Sequence, residues 1–122
     1  MLVQSAVVVT AHRQRMAAYM ATQLALVAFG DGGSDASGNP IAPLPIASGL
    51  QSEKLRKSLF SIQNTGTSLV VTGAMESADL VGVNVSEASI LDIAGRVVAI
   101  KTFKPINKLV NTRYEIKFTL NF

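Results

Sequence analysis

The chain has 122 residues, 16% of them charged, a net charge of +3 at pH 7 and no cysteine. Its length bounds it to one domain, residues 1–122, able to bury roughly two-thirds of its unfolded surface. The absence of cysteine excludes a disulfide framework, a thiolate zinc site and a cysteine nucleophile.

The Val-rich residues 2–9 predict a short strand, and Thr10 is placed to cap the helix that follows. Ala11 to about Thr22 reads as that helix, with Met16, Met20 and Leu24 on one face and His12, Arg15, Tyr19 and Gln23 on another. Leu24 to Phe29 is a compact apolar run, expected as a buried strand. It stops at Gly30-Asp31-Gly32-Gly33. Glycines open backbone angles closed to other residues, so the chain is expected either to reverse here or to be laid against something. Residues 30–49 read as a long Gly/Pro-rich loop with Pro40, Pro43 and Pro45. Within it, Ile41-Ala42-Pro43-Leu44-Pro45-Ile46 is apolar yet barred from a sheet centre, because proline lacks a donor. It is expected to lie extended against this domain or a neighbouring subunit. A loop of that length in a compact chain is usually functional or partner-bound.

Residues 50–57 stay ambiguous, with Leu50, Glu53 and Lys54 suiting a helical turn. Phe60 and Ile62 begin an alternating strand, and Asn64-Thr65-Gly66 reads as a turn. Leu69, Val71 and Met75 alternate with polar or small residues, and Val81, Val83 and Val85 do so again. Leu91 to Arg96 predicts a hairpin bend with Gly95 at positive φ, and Val97 to Phe103 the return strand. Tyr114, Ile116, Phe118, Leu120 and Phe122 alternate without fault, which places Arg113, Glu115, Lys117, Thr119 and Asn121 outward. The expected fold is α+β: a sandwich-like antiparallel sheet, one N-terminal amphipathic helix and the extended loop.

Little in the chain supports catalysis. No Gly-Lys-Ser/Thr follows the glycine cluster, and two aspartates at its mouth would repel a phosphate. Asp31, Asp35 and Asn39 have the flavour of a calcium loop but lack the EF-hand spacing and closing glutamate, so solvated turn carboxylates are the simpler reading. His12, the single histidine, sits beside Arg13 and Arg15 with no nucleophile motif nearby. Glu87, Glu76 and Asp79 do not form a carboxylate pair of glycosidase type. The residues therefore point to a protein that is not an enzyme, with no cofactor and no metal. The basic residues are scattered and there is no Trp, so a nucleic-acid surface is not expected. No apolar run approaches the about 18 residues of a membrane span, and no signal peptide is evident, so the chain is expected to stay in the cytoplasm that makes it or to leave by another route. A charged fraction well below the roughly 25% of average domains favours an obligate oligomer or an embedded subunit. Met16 and Met20 on the helix, and Pro40, Ile41, Pro43, Leu44, Pro45 and Ile46 on the loop, are the candidate interface residues.

Three pieces in order carry a resemblance: Leu26 to Gly33 after the Ala-rich helix, Asn39-Pro40 to Pro45 followed by Leu50 to Leu59, and Val85 to Ile100. Over roughly residues 3–103 the chain resembles the N-terminal domain of phage tail-collar fibre proteins, the attachment end of tail fibres in contractile-tailed phages and related particles. The resemblance implies a homotrimeric virion structural protein that joins a fibre to the baseplate, assembled in the bacterial cytoplasm and resident in the tail. Such fibres continue into a shaft and a receptor-binding tip, whereas this sequence stops at Phe122. It is expected to be a free-standing adaptor or plug, or a fragment of a longer fibre, and the final strand ending flush at Phe122 favours a complete domain. The alternative expectation is a small receptor- or carbohydrate-binding module of the same particle.

Overall fold

The computed structural model describes residues 4–122. Helix α1 (Thr10–Gln23) runs directly into β1 (Leu24–Gly30), followed by β2 (Glu53–Ser58), β3 (Ser61–Asn64), β4 (Ser68–Met75), β5 (Asn84–Asp92), β6 (Val97–Asn107) and β7 (Tyr114–Asn121). Four strands form one sheet in the order β2-β1-β5-β6 and three form a second in the order β3-β4-β7. Every strand pairing is antiparallel. The protein is an α+β domain of antiparallel sheets with one helix.

The core lies between the sheets. In register, Val27 stands opposite Ile90 and Phe29 opposite Ala88. These four share a cluster with Leu69, Val71 and Met75 of β4 and Phe118 of β7. Fully burying an aliphatic or aromatic side chain of this size contributes about 1.5–3 kcal/mol, so this cluster is the main source of stability. Strand β5 is central and buried from Val85 through Asp92. The chain changes sheet at Leu59 and Phe60: the Leu59 N–H donates to the Ala25 carbonyl, and the Phe60 N–H to the Thr72 carbonyl. Helix α1 packs against β3 and β4. Ala17 is fully buried, and Met20 and Ala21 lean on the core beside it.

Several expectations are corrected. Residues 4–9 form no strand and are exposed, while residues 2 and 3 lie outside the described residues. Thr10 is the first helical residue and not the cap. Val9 takes the capping position without a side-chain bond, and its carbonyl accepts the His12 and Arg13 N–H groups. Met16 does not share the buried face with Met20: it is 42% exposed, because the inward stripe passes through Ala17, Met20, Ala21 and Leu24. Residues 53–58 are an edge strand and not a helical turn, since pairing with β1 overrides their helix-friendly composition. Val81 and Val83 lie in the connection before β5, where Leu80 (φ 51) and Gly82 (φ 81) turn the chain. The β5–β6 hairpin bends as expected, with Gly95 at φ 79. Strand β7 alternates as expected, with Glu115, Lys117, Thr119 and Asn121 exposed.

The β4–β5 connection is held by charge. Asp79 bonds the Lys57 ammonium at 2.6 Å and accepts the Glu76 N–H at 2.8 Å. Nearby, the fully buried Lys108 donates to the carbonyls of Ser77 and Leu109, both at 3.3 Å. The Lys57 hydrogen bond, opposed by partial burial and aided by the Glu76 amide, holds the Asp79 carboxyl below the usual carboxylate range. A depressed folded pKa means stability that is present above the unfolded value of about 4 and is lost as pH falls through the folded one. Asp79→Asn is therefore expected to lower stability at pH 7 by about 1 kcal/mol, the gap to wild type narrowing towards zero in acid. Urea titrations between pH 7 and pH 2 measure it.

The sheets approach closely at Gly73, where an added Cβ would lie 2.5 Å from Cγ2 of Val27. Gly73→Ala is expected to cost about 1–3 kcal/mol by forcing the layers apart, seen as a lower thermal midpoint with the fold retained by circular dichroism.

Candidate docking site

The glycine cluster ends β1 against a buried carboxylate. Glu87, in the middle of β5, is 1% exposed. Its Oε2 accepts the Gly32 N–H at 2.9 Å and the Ser52 N–H at 2.8 Å, and its Oε1 accepts the Gln51 N–H at 2.9 Å. The neighbouring Ser86 hydroxyl accepts the Gly33 N–H at 2.9 Å. Hydrogen bonds with a charged acceptor contribute more than neutral ones, about 1.5–3 kcal/mol each. Asp31 N–H also donates to the Ser52 carbonyl at 3.1 Å. Residues 31–33 and 51–52, the start and finish of the long loop, are thus stapled to one another and to the central strand.

This explains the glycines. None of Gly30, Gly32 and Gly33 has positive φ; that geometry belongs to Gly38, Gly66, Gly82 and Gly95. They are needed for close approach instead. A Cβ on Gly30 would strike the Ser52 carbonyl and stand 2.5 Å from Glu87 Oε2. One on Gly32 would stand 2.8 Å from Gln51 Cβ, and one on Gly33 would strike the Ser86 carbonyl. Of the two expectations for this cluster, the chain laid against something is the one realised.

Beyond the neck, Asp35 Oδ1 accepts the Ser37 and Asn39 N–H groups at 2.9 Å and closes a tight turn. The Ile41 N–H then donates to the Gly33 carbonyl at 2.8 Å, and the Ile41 carbonyl accepts the Thr102 hydroxyl of β6 at 2.8 Å. From there the prolines carry the chain outward. Ile41 is 50%, Leu44 65% and Ile46 89% exposed. Pro40, Pro43 and Pro45 share this exposed stretch. A cavity of about 480 Å³ lies beneath, walled by Ile41, Leu44, Ile46 and Leu50 on the loop side and by Ile100 and Thr102 of β6. A smaller hollow of about 280 Å³ separates Pro43–Ala47 from Val97–Ile100. The loop is thus anchored to β6 at Ile41 and arches over hollows beyond it, leaving Leu44 and Ile46 largely in water.

The structure brings together the six loop residues marked in the sequence and separates them from Met16 and Met20, which lie on α1. The staple itself was missed. Glu87 shows only as an acidic residue in the middle of a strand that also carries Ser86 and Ser89, and a charge in that position was the available signal. The residues with a calcium-loop flavour do not converge: Asp31 faces Lys54 at 3.9 Å, Asp35 closes its own turn, and among the described residues no group of three or more His, Cys, Asp or Glu side chains is placed to hold a metal ion. His12 is exposed beside Arg15. A scan of protein-family models and a search of curated proteins each find no match to this chain.

Glu87→Gln keeps size and shape but turns an amide NH2 towards one of the three donors. It is expected to cost about 1–3 kcal/mol, and Glu87→Ala more, with faster limited proteolysis between residues 33 and 50. Denaturant midpoints and cleavage mapping by mass spectrometry measure both effects.

Proposed function

We propose that this domain is a structural subunit of a phage tail, a fibre or fibre-adaptor protein that attaches to the baseplate by protein–protein contacts. The observation that carries the reading is the stapled loop. A proline-stiffened arm, fixed at its neck by Glu87, holds Ile41, Leu44 and Ile46 in water at 50%, 65% and 89% exposure. Displaying apolar side chains on a restrained backbone reduces the ordering entropy that docking has to overcome. The low charged fraction of 16% fits a chain that spends its life against other chains. The resemblance in order and spacing to tail-collar fibre domains supplies the particle, and with it a homotrimer assembled in the bacterial cytoplasm and carried in the virion tail. In this reading residues 30–49 are an extended arm whose partner is a baseplate or tail protein, and Met16, exposed on α1, belongs to a contact between copies. The role is attachment, without catalysis, cofactor or nucleic acid.

The rival reading, a small carbohydrate- or receptor-binding module, draws on the cavity of about 480 Å³ under the arm. Sugar sites favour aromatic platforms, and the lining here is aliphatic and polar. Attachment is therefore preferred.

A Leu44→Asp, Ile46→Asp double variant is expected to keep the wild-type thermal midpoint, since both side chains are exposed, while its incorporation into tail particles falls by about tenfold or more, the equivalent of 1.4 kcal/mol or more of docking energy. Immunoblots of purified particles measure incorporation. Wild-type levels of the variant in particles would overturn the docking role of the arm, and specific retention on a glycan array would favour the rival.

A further inference from the structure

We propose that residues 5–9 of one copy add as a strand to the free edge of β7 in a second copy, so that copies of this chain associate by strand exchange. This goes beyond the docking arm and uses none of its residues.

The acceptor is an open sheet edge. Strand β7 ends the order β3-β4-β7 and pairs with β4 along its whole length, from Tyr114 opposite Met75 to Asn121 opposite Ser68, without a register shift. Each residue of a strand aims its N–H and C=O to the same side, and neighbours alternate. The Phe122 N–H donates to the Thr67 carbonyl, on the β4 side. The Lys117 carbonyl, by contrast, accepts the Lys101 ammonium of β6 at 3.0 Å. The even residues thus face β4, and Glu115, Lys117 and Thr119 direct their backbone groups to the other edge. No backbone hydrogen bond joins that edge to β6 among the described residues; a lysine side chain spans the seam instead. The inner side chains along β7, Ile116 and Leu120, are only partly buried, unlike Leu69 and Val71 on β4. β7 carries Glu115 and Lys117, but it is the longest edge strand without a proline: β2 has six residues, four of them charged, β3 has four residues, and β6 contains Pro105.

The donor is on the same molecule. Ser5-Ala6-Val7-Val8-Val9 is rich in β-branched residues, suited to a pleated strand. Val9 is extended at φ −67 and ψ 149. Val7, Val8 and Val9 are 83%, 58% and 60% exposed, the least covered run of branched side chains in the described residues. Arg13 Nε donates to the Phe122 carbonyl, which sets the start of α1 beside the end of β7. The segment therefore leaves the body next to an open edge yet does not fold onto its own. In an added strand Val7 and Val9, two residues apart, share a face and lie beside Phe118 and Ile116, while the strand's amides and carbonyls pair with those of Lys117 and Thr119 and displace the Lys101 ammonium from the Lys117 carbonyl. Every copy offers one donor and one acceptor, the head-to-tail pairing that makes a symmetric ring when the rotation between neighbours closes.

Complementation tests the exchange. Val7→Asp with Val8→Pro removes the donor. Thr119→Pro removes the acceptor, deleting an N–H that gives nothing to β4. Light scattering after size exclusion is expected to show wild-type chain as an oligomer, each variant alone as a monomer, and the two mixed as a 1:1 heterodimer. The Leu44→Asp, Ile46→Asp chain keeps the wild-type mass, which separates this inference from the docking reading. Hydrogen exchange provides a second readout should Thr119→Pro unfold: the Lys117 and Thr119 amides are protected in wild type and exchange freely in the Val7→Asp, Val8→Pro chain. A monomeric wild type at high concentration, an oligomer that survives loss of the donor, or equal exchange in both chains would each overturn the inference.

Discussion

The carboxylate of Glu87 is the constraint around which the rest is arranged. A buried acceptor with three amide donors has to be met by backbone, and on the β1 side the chain comes close enough only where side chains are missing. That requirement places Gly30 and Gly32 at the end of β1 and brings the chain back at Gln51 and Ser52 before β2 begins. A carboxylate without these donors would incur a large desolvation cost on a central strand. With them, a loop that would otherwise lose cohesion at its base becomes part of the sheet. Ser86 extends the arrangement by one more amide, and Asp31 pairs the two sides of the neck.

How legible this was in the sequence depends on the kind of signal each segment carries. Strand β7 was plain, because its apolar residues alternate and one face meets the core while the other meets water. The β5–β6 hairpin was plain for a different reason, the bend from Leu91 to Arg96 with Gly95 at positive φ. Strand β2 was obscure. Its charged residues suit a helix as well as an edge strand, and only the long-range pairing of Phe29 with Leu55 and Val27 with Lys57 decides the matter. The exposed N-terminal valines have strand composition but pair with no strand among the described residues. Pattern alone does not reveal whether an edge is available to receive them.

The candidate site divides in the same way. The proline-rich stretch from Pro40 to Ile46 was visible by composition, since few other reasons place so many apolar residues in a segment that cannot enter a sheet. The chemistry that fixes it was invisible. Glycines look alike in a sequence whether they supply an unusual torsion or clear space for a neighbour. Only the three-dimensional approach of Ser52, Ser86 and Glu87 separates the two uses. Met16 and Met20 show a related limit: four residues apart on one helix, they part company because the narrow stripe of small residues that meets the core passes through only one of them.

The attachment of the loop to β5 also governs how tension would travel. A pull on its tip runs along the chain into the inner strand β1 and the edge strand β2, and the bonds to Glu87 pass part of it to β5, which has neighbours on both sides, β1 and β6. Unzipping from a margin breaks ladder rungs one at a time, whereas an inner strand must shed two sets of rungs together before it slides. By sharing load with β5, the carboxylate of Glu87 relieves the border strand β2 at the other end of the loop, so the neck yields later than β2 alone would allow.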